Sequence, residues 1–238
     1  VEVTSYMLAD VATACVAADL RGEALGALWQ AEQTGQAHPR VYLPVLRMFR
    51  ATGQWREAIS TLDRMNRQGV TPSLQCYNTC IWACGGGSDS EAAREAQRLF
   101  DELPLKGYTP DAISANCLLD SVHGTPVGRQ VFLDLLVPDL LAHALTGMHL
   151  DLHSLSHGAA REAIAWWVHE VLPQRESLPA TMEVVCGVGG AAGKQQYAMV
   201  AVAVDVLSQL GLRWSQPRPG ALSLSARDVR QYWRARRV

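Results

Sequence analysis

Lysine is almost missing from this chain. Lys106 and Lys194 are the only two in 238 residues, so arginine carries nearly all of the positive charge. Long apolar runs are missing as well. A membrane-spanning helix needs about 20 predominantly apolar residues, and the longest candidate, Tyr197–Leu212, is interrupted by Asp205. No membrane span is predicted. The six cysteines never fall in C-x-x-C spacing, so neither a zinc site nor a disulfide framework is indicated. No metal is assigned from the spacing of His, Asp and Glu. A P-loop is excluded because Gln195, not Ser or Thr, follows Lys194. No small-molecule cofactor is read from any segment. The stretch from Val1 shows no secretory or transit-type leader. Because the first residue is not Met, that carries no statement about compartment.

What remains is an ordinary globular balance, 48% hydrophobic, with enough apolar material for a core. The formal charge of −2 conceals a split. Residues 1–147 hold 11 basic against 16 acidic side chains, a net −5, whereas residues 148–238 hold 10 against 7, a net +3. The basic half ends in Arg227, Arg230, Arg234, Arg236 and Arg237. Such asymmetry points either to nucleic acid or to a merely solvated last helix.

The acidic half repeats. Tyr42-Leu43-Pro44-Val45-Leu46 aligns with Tyr77-Asn78-Thr79-Cys80-Ile81 at an offset of 35. Ala58, Met65, Gly69 and Pro72 align with Ala96, Leu103, Gly107 and Pro110 at 38, and the extra residues fall at Gly85-Gly86-Gly87-Ser88. Ala24, Leu28 and Gly35 precede Ala58, Leu62 and Gly69 by 34, and Asn116-Cys117-Leu118-Leu119 follows Asn78 by 38. Each unit reads as two helices. In the second, Tyr42–Arg50 carries Val45, Leu46 and Phe49 at helical spacing, Gly53 breaks the run, and Glu57–Arg67 carries Ala58, Ile59, Leu62 and Met65 on one stripe. Gly69 supplies the stop, and Pro72 prevents continuation. One such pair cannot bury both apolar faces, so neighbours must stack into an α-solenoid. Three copies and a degenerate fourth are expected over 3–145, with the helix Arg129–Leu145 capping the stack.

The run Tyr77-Asn78-Thr79-Cys80-Ile81, closed by Gly107-Tyr108-Thr109-Pro110-Asp111, resembles the pentatricopeptide repeat (PPR) pattern. Tetratricopeptide repeats, which lack the Pro-Asp ending, fit second. The resemblance implies binding of single-stranded RNA, with one base read per repeat by the fifth and last side chains. Asn78 and Asp111 form the well-matched pair, a combination associated in the family with uracil. The preceding pair is Leu43 and Ser73, and Leu43 has no group for a base edge. Asn116 stands at the fifth position of the last unit.

The basic half changes character. His149-Leu150-Asp151-Leu152-His153 alternates as a strand, which puts Asp151 and His153 on one face. Gly158–Leu172 reads as an amphipathic helix, Met182–Cys186 as a buried strand, and Gln195–Leu210 as a second long helix. Arg213–Gln216 and Ala221–Leu224 read as short strands, completing an α/β sandwich. Trp166 and Trp167 are adjacent, so one is expected in the core and the other exposed or covered by the repeats. Trp233 lies in an aromatic–basic segment that either touches RNA or anchors the final helix.

Leu150-Asp151-Leu152-His153 together with Cys186-Gly187-Val188-Gly189 resembles the small MutS-related (Smr) domain, expected over 146–238. The resemblance implies nucleic-acid binding and, in some members, RNA endonuclease or DNA-nicking activity. In that reading Asp151 and His153 are catalytic: the imidazole moves the proton of a ribose 2′-OH, and the carboxylate orients it. Gly187, Gly189 and Lys194 would meet phosphate at a helix start, and Arg234 and Arg236 would meet it on the last helix. Two positions depart from the pattern. Ser154 replaces the glycine after His153, and no histidine follows Gly189. The alternative is that Asp151 and His153 bond within the fold and the glycines make a tight turn. Repeats followed by such a domain imply an organellar protein, of plastid or mitochondrion, acting in RNA processing, stability or translation. A weak endonuclease activity would accompany it. The rival expectation is a non-catalytic assembly module whose acidic solenoid binds a protein partner.

Overall fold

A computed structural model describes residues 3–86, 89–146, 148–187 and 193–236. The chain parts into two compact units, Val1–Ser121 and Val122–Val238. No described helix is long and apolar enough to cross a membrane.

The first unit is a row of helical hairpins. Its helices are α1 (Ser5–Ala17), α2 (Arg21–Gln33), α3 (Pro39–Ala51), α4 (Trp55–Arg67), α5 (Leu74–Ala83), α6 (Ser90–Leu105) and α7 (Ala112–Val122). Each first helix opens on a cap at a repeated position. Thr4, His38 and Ser73 accept backbone N–H bonds at the starts of α1, α3 and α5, and Asp111 accepts from Ser114 N–H at 2.8 Å at the start of α7. A side-chain acceptor there satisfies one of the orphan donors of the first turn. The second helices stop at Gly35, Gly69 and Gly107, all at positive φ, which only glycine adopts cheaply. The turn inside the hairpin is left-handed too, at Gly53 in the second repeat and at Asp19, φ 56°, in the first. First helices pack on one another, α1 on α3 and α3 on α5; α2 and α4 each pack on both flanking first helices, and α6 packs on α5. Between them Leu28, Tyr42, Leu46, Leu62, Met65, Tyr77, Ile81, Leu99 and Leu103 are fully or almost fully buried. Cys76 and Cys80 lie buried on α5 and Cys84 in the turn that follows it, and every cysteine is a free thiol.

The second unit begins with α8 (Pro126–Val131), a π turn over Phe132–Leu136, α9 (Val137–Asp139) and a further π turn over Leu140–Ala144. The sequence assigns this stretch to the solenoid as its cap, with the division near residue 145. In the structure it groups with the second unit, which starts at Val122. Phe132 packs edge-on against Trp166 at 5.9 Å, and the buried carboxylate of Glu162 accepts the Gly124 N–H at 2.6 Å and faces Arg129 at 3.7 Å. Gly128 has no room for a Cβ, which would stand 2.2 Å from the Val122 carbonyl oxygen. Trp166 and Trp167 are both buried, so neither is exposed, and Trp166 is covered by Phe132 from the stretch that the sequence reading assigns to the repeats.

The sheet follows: β1 (Leu145–Thr146), β2 (His149–Asp151), α10 (His157–Trp166), β3 (Thr181–Val185), α11 (Gly193–Gln209), β4 (Trp214–Arg218), β5 (Ala221–Ser225) and α12 (Ala226–Arg236). Strand order is β1-β2-β3-β5-β4. Only β2 and β3 run parallel, with Asp151 opposite Val185. Leu150, Met182, Val184, Leu222 and Leu224 form the buried face. Alternate positions give His149, Asp151, Thr181, Glu183 and Ser223 to the other face, where they keep solvent contact. α11 and α12 pack on β5, and Arg161 of α10 bonds Asp205 of α11 at 2.6 Å.

Candidate nucleic-acid interface

Three parallel stripes run along the first helices of the repeats. On α3, Arg40, Leu43, Arg47 and Arg50 follow one another at spacings of three and four, so they share one helix face. The same register on α5 gives Gln75, Asn78 and Trp82, and on α7 Ile113, Asn116 and Asp120. Neighbouring stripes touch. The Arg50 guanidinium lies 3.5 Å from the centre of the Trp82 ring, and Arg40 stands 4.9 Å over Tyr6. At the far end a Cβ on Gly85 would meet the Asp120 Cβ at 2.7 Å, so α7 lies close against the end of α5. Partial burial lowers the Arg50 pKa, and the charge of Arg47 adds to this while Cys117 and Asp120 oppose it. It stays a cation, since arginine does not deprotonate in proteins.

Charges on the second helices behave differently. Arg56 pairs with Glu91, Arg64 with the buried Glu32 at 2.9 Å, and Arg98 with Glu95 and Glu102 at 2.9 and 3.2 Å. Among the described residues, no carboxylate stands within ion-pair distance of Arg40, Arg47 or Arg50. The acidity of the repeat half is therefore partly cancelled on the second helices, while the first-helix face keeps Arg40 and Arg47 without an ion-pair partner among the described residues and Arg50 stacked on Trp82 within the field of Asp120. Sequence reading missed Arg40, Arg47, Arg50 and Trp82. Their signal was the spacing of three arginines on an otherwise apolar helix.

Asn78 is 7% exposed, and its carboxamide oxygen is buried with no hydrogen-bond partner among the described residues. Asp111 Oδ1 accepts from both the N–H and the hydroxyl of Ser114, at 2.8 and 3.0 Å, as the cap of α7. Asn116 donates back to the Ala112 carbonyl at 2.8 Å. Leu43 and Ser73 occupy the equivalent places one repeat earlier, Ser73 as the cap of α5.

In the second unit, the ends of the two parallel strands bring separate sequence segments together. Asp151 closes β2, and its Oδ1 accepts the backbone N–H of His153 at 2.9 Å and contacts His153 Nδ1. Leu152 N–H donates to the Val185 carbonyl at 2.8 Å, drawing the chain after β2 alongside the end of β3. There Gly187 has φ 98°, and a Cβ on it would lie 2.7 Å from His153 Nε2. His153 and Asp151 are about half exposed, at 52% and 45%. Cys186, buried beside Asp151, has its thiol pushed up to about 11 by burial and by that carboxylate, so it is no nucleophile at neutral pH. On the same sheet face Glu183 holds Arg218 at 2.9 Å and faces His149 Nδ1 at 3.5 Å. Gly189 lies outside the described residues, as does the side chain of Lys194, although its backbone belongs to α11.

On α12 the two expected arginines part company. Arg234 is exposed beside Arg227 and Arg230. Arg236 turns back instead, 4.8 Å over the Tyr232 ring and 3.5 Å from His169 Nε2. Trp233 anchors the helix by donating its indole N–H to the Val168 carbonyl at 3.1 Å. No cluster of three or more His, Cys, Asp or Glu side chains converges among the described residues.

No protein-family model matches the chain, and no curated protein matches it. Solved structures do. The pentatricopeptide repeat protein PPR10 in complex with an 18-nt psaJ RNA element is similar over 88% of this chain, at a TM-score of 0.52 and 18% identity. A cysteine-to-serine variant of PPR10 with the same RNA element gives the same values. PPR10 from maize matches at a TM-score of 0.48 and 16% identity over 87% of the chain. This chain spans only 28% of the length of PPR10 in the RNA complex. The helical hairpins of the first unit have the fold of a pentatricopeptide-type solenoid.

Proposed function

We propose that the protein binds single-stranded RNA along the first-helix face of its repeats. One observation carries this: Arg40 and Arg47 have no ion-pair partner among the described residues, on a face that also presents Asn116 and Trp82 with Arg50 stacked on it. Uncompensated cations attract phosphodiester charge, and an exposed aromatic ring offers a base a stacking surface. The similarity to PPR10, solved with RNA, supports the same reading. Asn78, with its unpartnered carboxamide oxygen, and Asp111 form the base-reading pair, for which the family preference is uracil. The biological setting is RNA processing, stability or translation in an organelle.

The second unit is, in this reading, an Smr-like domain that acts on the same class of polymer. Its reacting groups are Asp151 and His153. The carboxylate holds Nδ1, which leaves Nε2 directed toward the Gly187 turn. His153 takes the proton of a ribose 2′-hydroxyl, and the 2′-oxygen bonds to phosphorus to give a 2′,3′-cyclic phosphate. The P–O5′ bond breaks with the 5′-oxygen taking the proton back from the His153 imidazolium. The test is cleavage of a labelled, uracil-containing single strand. General acid–base catalysis contributes about 10²–10⁴-fold, so His153→Ala should lose a rate of that order with RNA affinity retained. Asp151→Asn should lose less. A wild type that binds without cutting leaves a binding domain, and a His153→Ala variant that cuts at the wild-type rate removes the dyad from the mechanism.

The rival assembly reading has its own observation. Met7 and Val11 of α1 and Leu25 and Trp29 of α2 are exposed, Trp29 by 61%, and apolar side chains of that kind mark protein interfaces. It requires that affinity for single-stranded RNA be undetectable at low salt.

A further inference from the structure

The last helix carries a row of arginines whose charge is offset only in part, by the field of Asp228 at Arg227. Arg227, Arg230 and Arg234 stand at spacings of three and four on α12 and, with Gln231, line one shallow groove. The helix has a single acid, Asp228, and it is already engaged. Arg213 Nε donates to its Oδ1 at 2.9 Å, and the Ser225 hydroxyl donates to its Oδ2 at 2.7 Å. Among the described residues no carboxylate lies within ion-pair distance of the three arginines. The opposite face of the helix is fixed. Val229 is fully buried, Tyr232 bonds His169 at 2.6 Å, and Trp233 bonds Val168. The stripe is therefore held outward by packing, and its direction does not depend on a ligand.

We propose that Arg227, Arg230 and Arg234 form a phosphate-binding edge that holds an RNA backbone without reading its sequence. This rests on the RNA reading above but sits on the other unit and uses different residues. Three features favour a phosphodiester chain over other polyanions. The groove is lined by arginine and glutamine alone, whereas protein interfaces bury an apolar centre. No large apolar side chain of α12 is exposed, and a membrane-surface helix needs an apolar face to insert. A helix rises about 1.5 Å per residue, so the guanidinium row spans about 10 Å along the axis. That is enough to meet successive phosphates of one strand.

The full chain is titrated with fluorescent single-stranded RNAs of several sequences between low and moderate salt. The proteins are wild type, Arg227→Gln/Arg230→Gln/Arg234→Gln, the matching triple lysine variant, and Arg47→Gln/Arg50→Gln. Losing three phosphate contacts from a single strand lowers the slope of log affinity against log salt by about 2. The glutamine triple variant should show that loss equally for every sequence, with affinity at low salt down about tenfold or more. The lysine variant should keep most of the affinity. Unchanged affinity and slope in the glutamine variant overturn the proposal, and if Arg47→Gln/Arg50→Gln is weakened in the same series, the RNA reading of the repeats stands without it. No RNA binding by wild type overturns both. Wild-type RNA affinity in the glutamine variant with lost binding to phosphatidylserine vesicles or polyglutamate assigns the stripe to a membrane or a protein and overturns the proposal.

Discussion

The imidazole of His153 occupies the space a side chain on Gly187 would need: Nε2 lies 2.7 Å from the position of that missing Cβ. Thirty-four positions separate the two residues in sequence, and the parallel pairing of β2 with β3 joins them. The histidine is thus fixed from two sides, by Asp151 at Nδ1 and by the bare backbone of Gly187 beneath the ring.

Gly187→Ala should break that arrangement. At φ 98° an alanine is strained, and its methyl group must displace the ring. A destabilisation of about 1–2 kcal/mol is expected, which lowers the Tm by about 2–8 °C for a chain of this size. Imidazole ¹⁵N spectra should show His153 losing its bond to Asp151. An unshifted Tm with unchanged His153 signals would contradict the geometry.

Asp19→Gly should have the opposite sign. Asp19 takes, at φ 56°, the left-handed turn that Gly53 takes in the next repeat. Its ion pair with Arg21 at 3.1 Å is exposed and contributes little. Relief of the left-handed conformation should stabilise the chain by about 0.5 kcal/mol or more. Denaturant unfolding followed by helical circular dichroism measures it, and a clear loss of stability would show that the Asp19 side chain matters more than its backbone.

Stability should fall below neutral pH partly through His169. Partial burial lowers its pKa, and the charges of Arg236 and Arg129 add to this while Glu170 opposes it. Its Nε2 is hydrogen-bonded to the Tyr232 hydroxyl. The unfolded chain therefore binds this proton more readily than the folded one. The full contribution is present above the ordinary histidine pKa of about 6.5. It declines as pH falls through that value and levels off once His169 titrates in the fold. A Tm series from pH 7.5 to 5 should show the decline, and His169→Gln should flatten part of it. An equal slope in the variant would place the titration elsewhere.

The repeats were legible because their punctuation is chemical. Gly35, Gly69 and Gly107 sit where the chain needs positive φ, whereas the helix caps Thr4, His38, Ser73 and Asp111 were not read from the sequence. Strands and helices after residue 148 were legible from alternation and apolar periodicity. The division between the units was not. Pro126–Ala144 is apolar enough to suit either unit, and only the contacts of Phe132 with Trp166 and of Gly124 with Glu162 show where it packs. The dyad residues were legible as a motif, whereas the closeness of His153 to Gly187 is a product of strand pairing. Arg236 shows the limit of counting charge: it resembles Arg234 in sequence, yet it is turned onto Tyr232.

The central claim is that the first-helix face binds single-stranded RNA, and the salt dependence of binding tests it most directly. Affinity for a labelled uracil-containing strand is measured across a salt series for wild type and for Arg47→Gln/Arg50→Gln. Each lost phosphate contact on a single strand lowers the slope by about 0.7, so the double variant should bind more weakly and with a slope shallower by about 1.4. Undetectable binding by wild type at low salt, or a double variant with wild-type affinity and slope, would contradict the account.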